Sequence, residues 1–392
     1  MDSVTRSNTP ALRFDGFDGE WPQSRLSDHL ILSENTNANR EFGREDVYAV
    51  SLEEGLVNQI KFHGRSFAGK SLENYDVIHA GEVVYTKSPL KFTPYGIFKS
   101  HFGETGIVSP LYAVYQTKPH ADARFVQDYF ALPERLNSYL SPLVNKGAKN
   151  TMNISDWNAL CGAVTFPPTL HEQRAIGEFF SHLDALIEQH RAKHANLQQT
   201  KSALLQRMFP QDGTDEPELR LGGFSGAWAT KKVDEICPLQ RGFDLPASEM
   251  VEGPVPVVTS NGVARRHNKA LVKGPGVTTG RSGTIGKVHF VEQDYWPHNT
   301  ALWVTDFKGN DPRFVYHLLQ HIDPSRFSSG SGVPTLNRND LHDFVTFIPP
   351  ALEEQRAIGE VFSNLDALIT AEHRYITQLT QAKTALLQRM FV

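Results

Sequence analysis

Residues 166–210 read FPPTLHEQRAIGEFFSHLDALIEQHRAKHANLQQTKSALLQRMFP, and residues 348–392 read IPPALEEQRAIGEVFSNLDALITAEHRYITQLTQAKTALLQRMFV. Roughly 27 of the 45 aligned positions are identical, so the chain contains an internal repeat. A shorter repeat stands before each copy: LRFDGFDGEW at 12–21 matches LRLGGFSGAW at 219–228. The order is tag, head, long segment, then the same again. The heads, about 22–165 and 229–347, show no obvious similarity to each other.

The long segments read as helices. Pro167-Pro168 and Pro349-Pro350 suit an extended entry, because proline restricts the residue before it. Apolar residues then recur at spacings of three and four. Ile176, Phe180, Leu183, Ile187, Leu197, Leu204 and Met208 mark the first copy; Ile358, Phe362, Leu365, Ile369, Ile376, Leu379, Leu386 and Met390 mark the second. That is a heptad seam. Forty such residues span roughly 60 Å and cannot bury their stripe alone, so each copy is the other's natural partner. Polar seam residues fix register and partner: His190, His194 and Lys201 in one copy, Glu372 and Lys383 in the other. Flush antiparallel pairing places Lys201 near Glu360, Lys383 near Glu178 and His190 near Glu372. Lysines snorkelling to water are the alternative. Antiparallel pairing also gives an approximate twofold axis, with unlike heads at the two ends of a rod. It returns Val392 close to the tag at Leu12. The expected division is 1–165 and 211–347 for the heads and 166–210 and 348–392 for the spacer helices.

Composition sets outer bounds. The chain has 392 residues, 40% hydrophobic and 21% charged, as in an ordinary globular protein with real cores. Cys161 and Cys237 are too few for a disulfide framework or a four-thiolate zinc site, and two isolated thiols fit a reducing cytoplasm. No secretory signal and no run of about 18 apolar residues is present, so a cytoplasmic protein is expected. The net charge of −5 is unusual for a protein that binds nucleic acid. Phosphate neutralisation is local, however, so charge placement matters more than the sum.

The doubled motifs PP-x-x-EQ-x-x-I-x-x-x-F, LD-x-L-I and K-x-x-LLQ-x-MF, each behind a head, resemble the specificity subunits of type I restriction-modification systems. In the second head, VTTGRSGTIGKVHF at 277–290, WPHNTALWV at 296–304 and SGVPTLNRNDL at 331–341 are similar to segments of that family's heads. The resemblance covers nearly the whole chain. In the first head it rests only on the tag and the exit into the helix. It implies an α/β (α+β) fold, with two mixed α/β target-recognition domains separated by an antiparallel coiled coil. It also implies that each head contacts one half of a bipartite site on double-stranded DNA. Two modification subunits, which use S-adenosylmethionine to methylate adenine, would be recruited, and ATP-hydrolysing restriction subunits would join them. The resemblance gives the specificity subunit no catalytic centre, cofactor or metal of its own.

Candidate DNA contacts follow from charge. Residues 253–291 contain no acid but hold Arg265, Arg266, Lys269, Lys273, Arg281 and Lys287 among many glycines. Basic side chains on tight loops reach phosphate, and glycines allow close backbone approach. Asn261 and Asn299 are candidates for pairing with adenine. In the first head, residues 83–103 also lack acids and carry Lys87, Lys91 and Lys99. Phe92 beside them reads as a core residue. Beyond Glu134 come Arg135, Lys146, Lys149 and Asn150, with Gly147 marking a turn. A solvated basic loop is the plain alternative for each window. Trp21 and Trp228 in the tags read as packing residues.

Enzyme readings are weaker. Gly280 to Lys287 has five residues between its glycines where a phosphate loop has four, and Val288 where Ser or Thr is required. The Asn/Asp-Pro-Pro-aromatic motif of adenine methyltransferases is absent. Asp306-Phe307-Lys308 has an acid-x-lysine spacing seen in nucleases, but a lone match is more often a loop. His190 and His194 have a metal-binding spacing without a second ligand pair. Two competitors to a DNA-specificity subunit remain. One is a stand-alone methyltransferase-like enzyme, and the other is a coiled-coil scaffold with two protein-binding heads.

Overall fold

The structure, a computed structural model, describes residues 8–87, 90–146, 152–211, 213–329 and 334–392, with backbone alone at 145–146 and 152–153. Two helices of 38 residues, Leu170–Arg207 and Leu352–Arg389, fall on the repeated segments. Each is about 57 Å long at 1.5 Å per residue. The chain divides into two compact units, Met1–Gln189 with Tyr375–Val392, and His190–Arg374. The division cuts both long helices, so each unit holds the start of one and the end of the other.

Within each unit the helices pair antiparallel. In the second unit, His190 bonds Glu372, while Lys201, further along, reaches back to Asp366 at 2.6 Å. Phe209, just past the end of the first helix, packs on Phe362 in the first half of the second, ring centroids 6.0 Å apart. In the first unit, Lys383 pairs with Asp184 at 2.5 Å, and Phe391 stacks on Phe180 at 5.9 Å. The expected His190–Glu372 pair is present. The expected partners of the two lysines are not, because Glu360 and Glu178 give way to Asp366 and Asp184. The reason is side-chain direction. Helical side chains lean toward their own N-terminus, so a lysine meets the partner helix about one turn away from the residue opposite its Cα.

The two heads share a core topology, to which the first adds the strand Asp76–Ile78 beside Gly106–Val108. In the first, a four-stranded antiparallel sheet runs Leu30–Leu32, Tyr112–Thr117, Val83–Thr86, Ile97–Ser100. In the second, Leu239–Arg241, Ala301–Val304, Gly276–Gly280 and Val288–Val291 follow the same spatial and chain order. A hairpin joined to a parallel strand accompanies each sheet. It comprises Val47–Ser51, Gly55–Asn58 and Gly106–Val108 in one head, and Val255–Thr259, Gly262–His267 and Trp296–Pro297 in the other. The entry and exit strands of each head pair antiparallel, Gln23–Arg25 with Ala163–Thr165 and Ala229–Lys232 with Val345–Ile348. Heads with no evident sequence similarity are thus two versions of one domain.

Each head is fastened to its helices in the same way. Arg13 grips Glu172 through both carboxylate oxygens, at 2.6 and 2.7 Å, and donates to the carbonyl of Gly19. Arg220 grips Glu354 at 2.8 and 2.9 Å and donates to Gly226. The hydrogen bonds to Glu172 and Glu354 raise both guanidinium pKa values above the ordinary one. Both glutamates sit in the first helical turn, where the helix dipole favours an anion. At the helix ends, the Leu12 and Leu219 amides donate to the Arg389 and Arg207 carbonyls at 2.9 and 2.8 Å, filling acceptors the helix leaves open. The chain end therefore does return to the first tag.

A third repeat hides inside the heads. DARFV at 122–126 and DPRFV at 311–315 each open a helix capped by its aspartate. The cap amides donate to Gln173 and Gln355, both at 3.0 Å, and these glutamines also donate to the Pro167 and Pro349 carbonyls. Gly177 and Gly359 lie against the same turns, where a side chain would meet Arg124 and Phe125 or Arg313 and Phe314. Trp21 and Trp228 are buried in the two cores with Phe125 and Phe314, as packing residues.

Candidate nucleic-acid interface

The acid-free window of the second head folds into two hairpins. In the first, Val255–Thr259 turns at Ser260 and Asn261 into the edge strand Gly262–His267, and Gly262 takes the positive φ of 94° that the turn requires. Arg265 and Arg266 are consecutive in that strand, so they point to opposite faces. Both are exposed, and Arg266 donates through Nη1 to the Pro254 carbonyl at 2.6 Å. Lys269 and Lys273 follow on an exposed connection.

The second hairpin carries Arg281 and Lys287 on the loop between Gly276–Gly280 and Val288–Val291. That loop is pinned by its backbone. The Arg281 amide donates to Thr300 at 2.8 Å, the Gly283 amide to Pro334 at 3.2 Å, and Leu336 donates to the Arg281 carbonyl at 2.8 Å. A strand follows Lys287, where a phosphate loop needs a helix N-terminus.

Thr300 ties three of the candidates together. Its Oγ1 accepts from the Ser260 amide at 3.3 Å beside Asn261, its carbonyl accepts from Arg281, and Asn299 precedes it. His289 closes the group, its ring nitrogen 3.4 Å from the Ser260 carbonyl and its pKa lowered by burial. Asn261, Arg281 and Asn299 therefore share one surface. The Asn299 amide already donates to Asp244, and its carbonyl oxygen has no bond among the described residues. Arg281 also lines a cleft with Arg241 and Arg338, two arginines outside the sequence-derived set. Arg338 lies within the SGVPTLNRNDL segment, which could have drawn attention to it; Arg241 left no such signal. No contact among the described residues brings Lys269 or Lys273 to the Thr300 group.

In the first head, the loop between Val83–Thr86 and Ile97–Ser100 is the topological counterpart of the 281–287 loop. Lys87 follows its strand directly, as Arg281 does, and pairs with Asp156 at 2.5 Å. Lys91 lies over the ring of Phe92 at 5.2 Å. Phe92 is 64% exposed, so its expected place in the core is corrected. It lies outside the sheet strands, and the lysine covers one ring face. Lys99 is half-buried in the sheet beside the helices; burial and then Lys383 lower its pKa, while Asp184 and Asp128 oppose them. Lys146 lies in a short strand whose side chains are not described, and Lys149 and Asn150 lie outside the described residues. Arg135 serves the frame. It donates to the Leu387 carbonyl at 3.1 Å, near the negative end of the second long helix, and lies over Tyr129 and Phe391.

Other sequence-level suspects have local roles. Asp306 and Lys308 bond each other at 3.1 Å on an exposed turn. His190 bonds Glu372, and His194 lies 5.7 Å from His373. Cys161 and Cys237 are free thiols, and burial pushes the Cys237 pKa up to about 12. No helix among the described residues is long and apolar enough to cross a membrane.

Comparison with known proteins agrees with this frame. Residues 226–381 match the family described as type I restriction modification DNA specificity domain. The fold is similar to the S subunit of a type I restriction-modification system from M. genitalium, with TM-score 0.67 and 13% identity over 98% of this chain and 99% of that one. It is also similar to a chain from a study of complex assembly and conformational transition in the type I R-M system, with TM-score 0.50 and 16% identity over 95% and 97% of the two chains. No match is found among curated protein sequences. Residues 226–381 thus match the DNA specificity domain of type I restriction-modification systems, and the fold of nearly the whole chain is similar to that of an S subunit of such a system.

Proposed function

We propose that this chain selects the DNA sequence on which a type I restriction-modification complex acts. Each head contacts one half of a bipartite, asymmetric site, and the paired helices set the gap between the halves. The observation that carries this reading is the contrast within the chain. Two heads that share a core topology sit on near-identical fastenings, yet their loops differ in sequence: residues 87–96 in one and 281–286 in the other. One frame with two sets of loops is what reading two different half-sites calls for.

The partners follow from the repeat. Arg174 and Glu178 in the first helix, and Arg356 and Glu360 in the second, are exposed and identical, although packing does not require them. A surface offered twice suits a partner that binds twice, which fits two modification subunits, with restriction subunits joining that core. The chain itself carries no catalytic centre in this reading and works in the cytoplasm where the complex acts.

Mobility-shift titration of duplex DNA with the full chain and modification subunits tests the proposal. Binding that strengthens on one bipartite sequence supports it. Binding to no duplex, with or without those subunits, favours a scaffold with protein-binding heads. Methyl transfer by the purified chain alone would revive the enzyme reading.

A further inference from the structure

Three arginines from three separate segments converge on one cleft of about 340 Å³ in the second head. Arg241 ends the strand Leu239–Arg241, Arg281 opens the loop after Gly276–Gly280, and Arg338 starts the short helix Arg338–His342. The strand Ala301–Val304 lies between the first two, with Leu302 pairing with Arg241 on one side and Thr279 on the other. The 2.8 Å bond from the Leu336 amide to the Arg281 carbonyl brings in the third. Thr335, Leu336, Asn337 and Leu302 complete the walls.

The cleft is rich in donors and poor in acceptors. No carboxylate lies within ion-pair distance of Arg281 or Arg338 among the described residues. Arg241 has only Asp244, at 3.5 Å, and that carboxylate also accepts from Asn299. The Asn337 oxygen already accepts from the Asn339 amide at 3.1 Å, and the Thr335 hydroxyl, its proton given to Ser329 at 3.3 Å, is a neutral acceptor set against three guanidinium groups. A guanine edge offers two acceptors, which a single arginine fork fills, so three guanidinium groups on one cleft exceed what one base edge takes. A phosphodiester offers acceptors alone and suits several guanidinium groups at once.

We propose that Arg241, Arg281 and Arg338 grip a backbone phosphate of duplex DNA and set the register of the second head without reading sequence. This rests on the DNA-specificity reading above and adds Arg241 and Arg338, with a role distinct from base recognition. The first head lacks the trio. Leu32 ends the strand that corresponds to Leu239–Arg241, and Lys87, at the position of Arg281, pairs with Asp156.

The test is binding of the full chain to two duplexes of unrelated sequence across a salt series. Arg241→Ala with Arg338→Ala should weaken both complexes equally, by about tenfold, and reduce the slope of log affinity against log salt by about two. Lysine at both positions should keep the slope, since a point charge serves phosphate. Loss confined to one duplex, or failure of lysine to restore the slope, would assign the arginines to base reading and overturn the proposal. An unchanged slope in the alanine variant would do the same while leaving the DNA reading intact. Wild-type chain that binds neither duplex would bring down both. The replaced side chains are exposed, so an unchanged unfolding temperature certifies that the variants are folded.

Discussion

His190 and Glu372 occupy the same position in the two copies of the repeat, 182 residues apart, and they bond each other. Antiparallel pairing of two like helices makes one position meet itself. Around that position the copies stop resembling each other: EQHRAKHAN at 188–196 and TAEHRYITQ at 370–378 share no residue. A faithful repeat would set histidine on histidine or glutamate on glutamate here, and like charges in a seam repel. Glu372 is 7% exposed and also accepts from Lys193 at 2.9 Å. The divergence turns a self-contact into a complementary one.

His190→Glu should therefore lower the unfolding temperature, because it faces Glu372 with a second carboxylate. Glu372→His should lower it too, by leaving Lys193 beside two imidazoles. Combining the two substitutions restores a complementary pair and should recover most of the loss. A double variant that melts as low as the sum of the singles would contradict the pairing.

Arg13→Ala and Arg220→Ala each leave a first-turn glutamate, 2% exposed, without its guanidinium. A buried ion pair that loses one member costs about 3–5 kcal/mol. Denaturant unfolding should register a loss of that order for each. Lysine at either site restores the charge but not the two-pronged geometry, so it should recover only part.

Gly177→Ala and Gly359→Ala should reverse the usual helical preference. Alanine is ordinarily worth about 1 kcal/mol over glycine inside a helix. At 177 the new methyl would lie 2.7 Å from the Arg124 Cβ and 3.0 Å from the Phe125 amide nitrogen. At 359 the nearest atoms are the Phe314 amide nitrogen at 3.0 Å and the Arg313 Cβ at 3.1 Å. Overpacking costs about 1–3 kcal/mol, so the first variant should be the less stable of the two. Stabilisation at 177 would show that the DARFV turn does not press on the helix.

Asp76 supplies a pH dependence. Burial first, and then the charge of Asp156, push its carboxyl up to about 6, with Lys87 opposing. A carboxylic acid whose folded pKa is raised favours the folded state when protonated. Its penalty is therefore absent below the ordinary carboxylate range and grows as pH rises from about 4 to about 6. Asp76→Asn should raise stability by about 1 kcal/mol at pH 7, allowing for the solvent that still reaches the group. The same variant should match wild type at pH 4.

The long helices, the tags and the buried tryptophans were legible because they are long, periodic and repeated. The His190–Glu372 contact was legible because symmetry forces equivalent positions together. The lysine partners were not, since a side chain's lean along its helix moves the contact by a turn. The kinship of the heads was hidden for another reason. Strands such as Leu30–Leu32 and Leu239–Arg241 have three residues each, too few to carry a period, and their pairing is long-range. DARFV and DPRFV are visible only once the helices they face are known. Among the candidate contacts, charge density singled out Arg281 and Lys87. It could not distinguish them from Arg135 and Lys99, whose partners lie far away in sequence.

Adenine methylation mapped across the genome of a host carrying the full complex tests the central claim most directly. The account predicts a bipartite, asymmetric motif. Adding one helical turn of four residues to both long helices lengthens each by about 6 Å, which should widen the motif's gap by about two base pairs with both half-sites unchanged. Methylation that is absent, not bipartite, or spaced as before in the lengthened protein would contradict it.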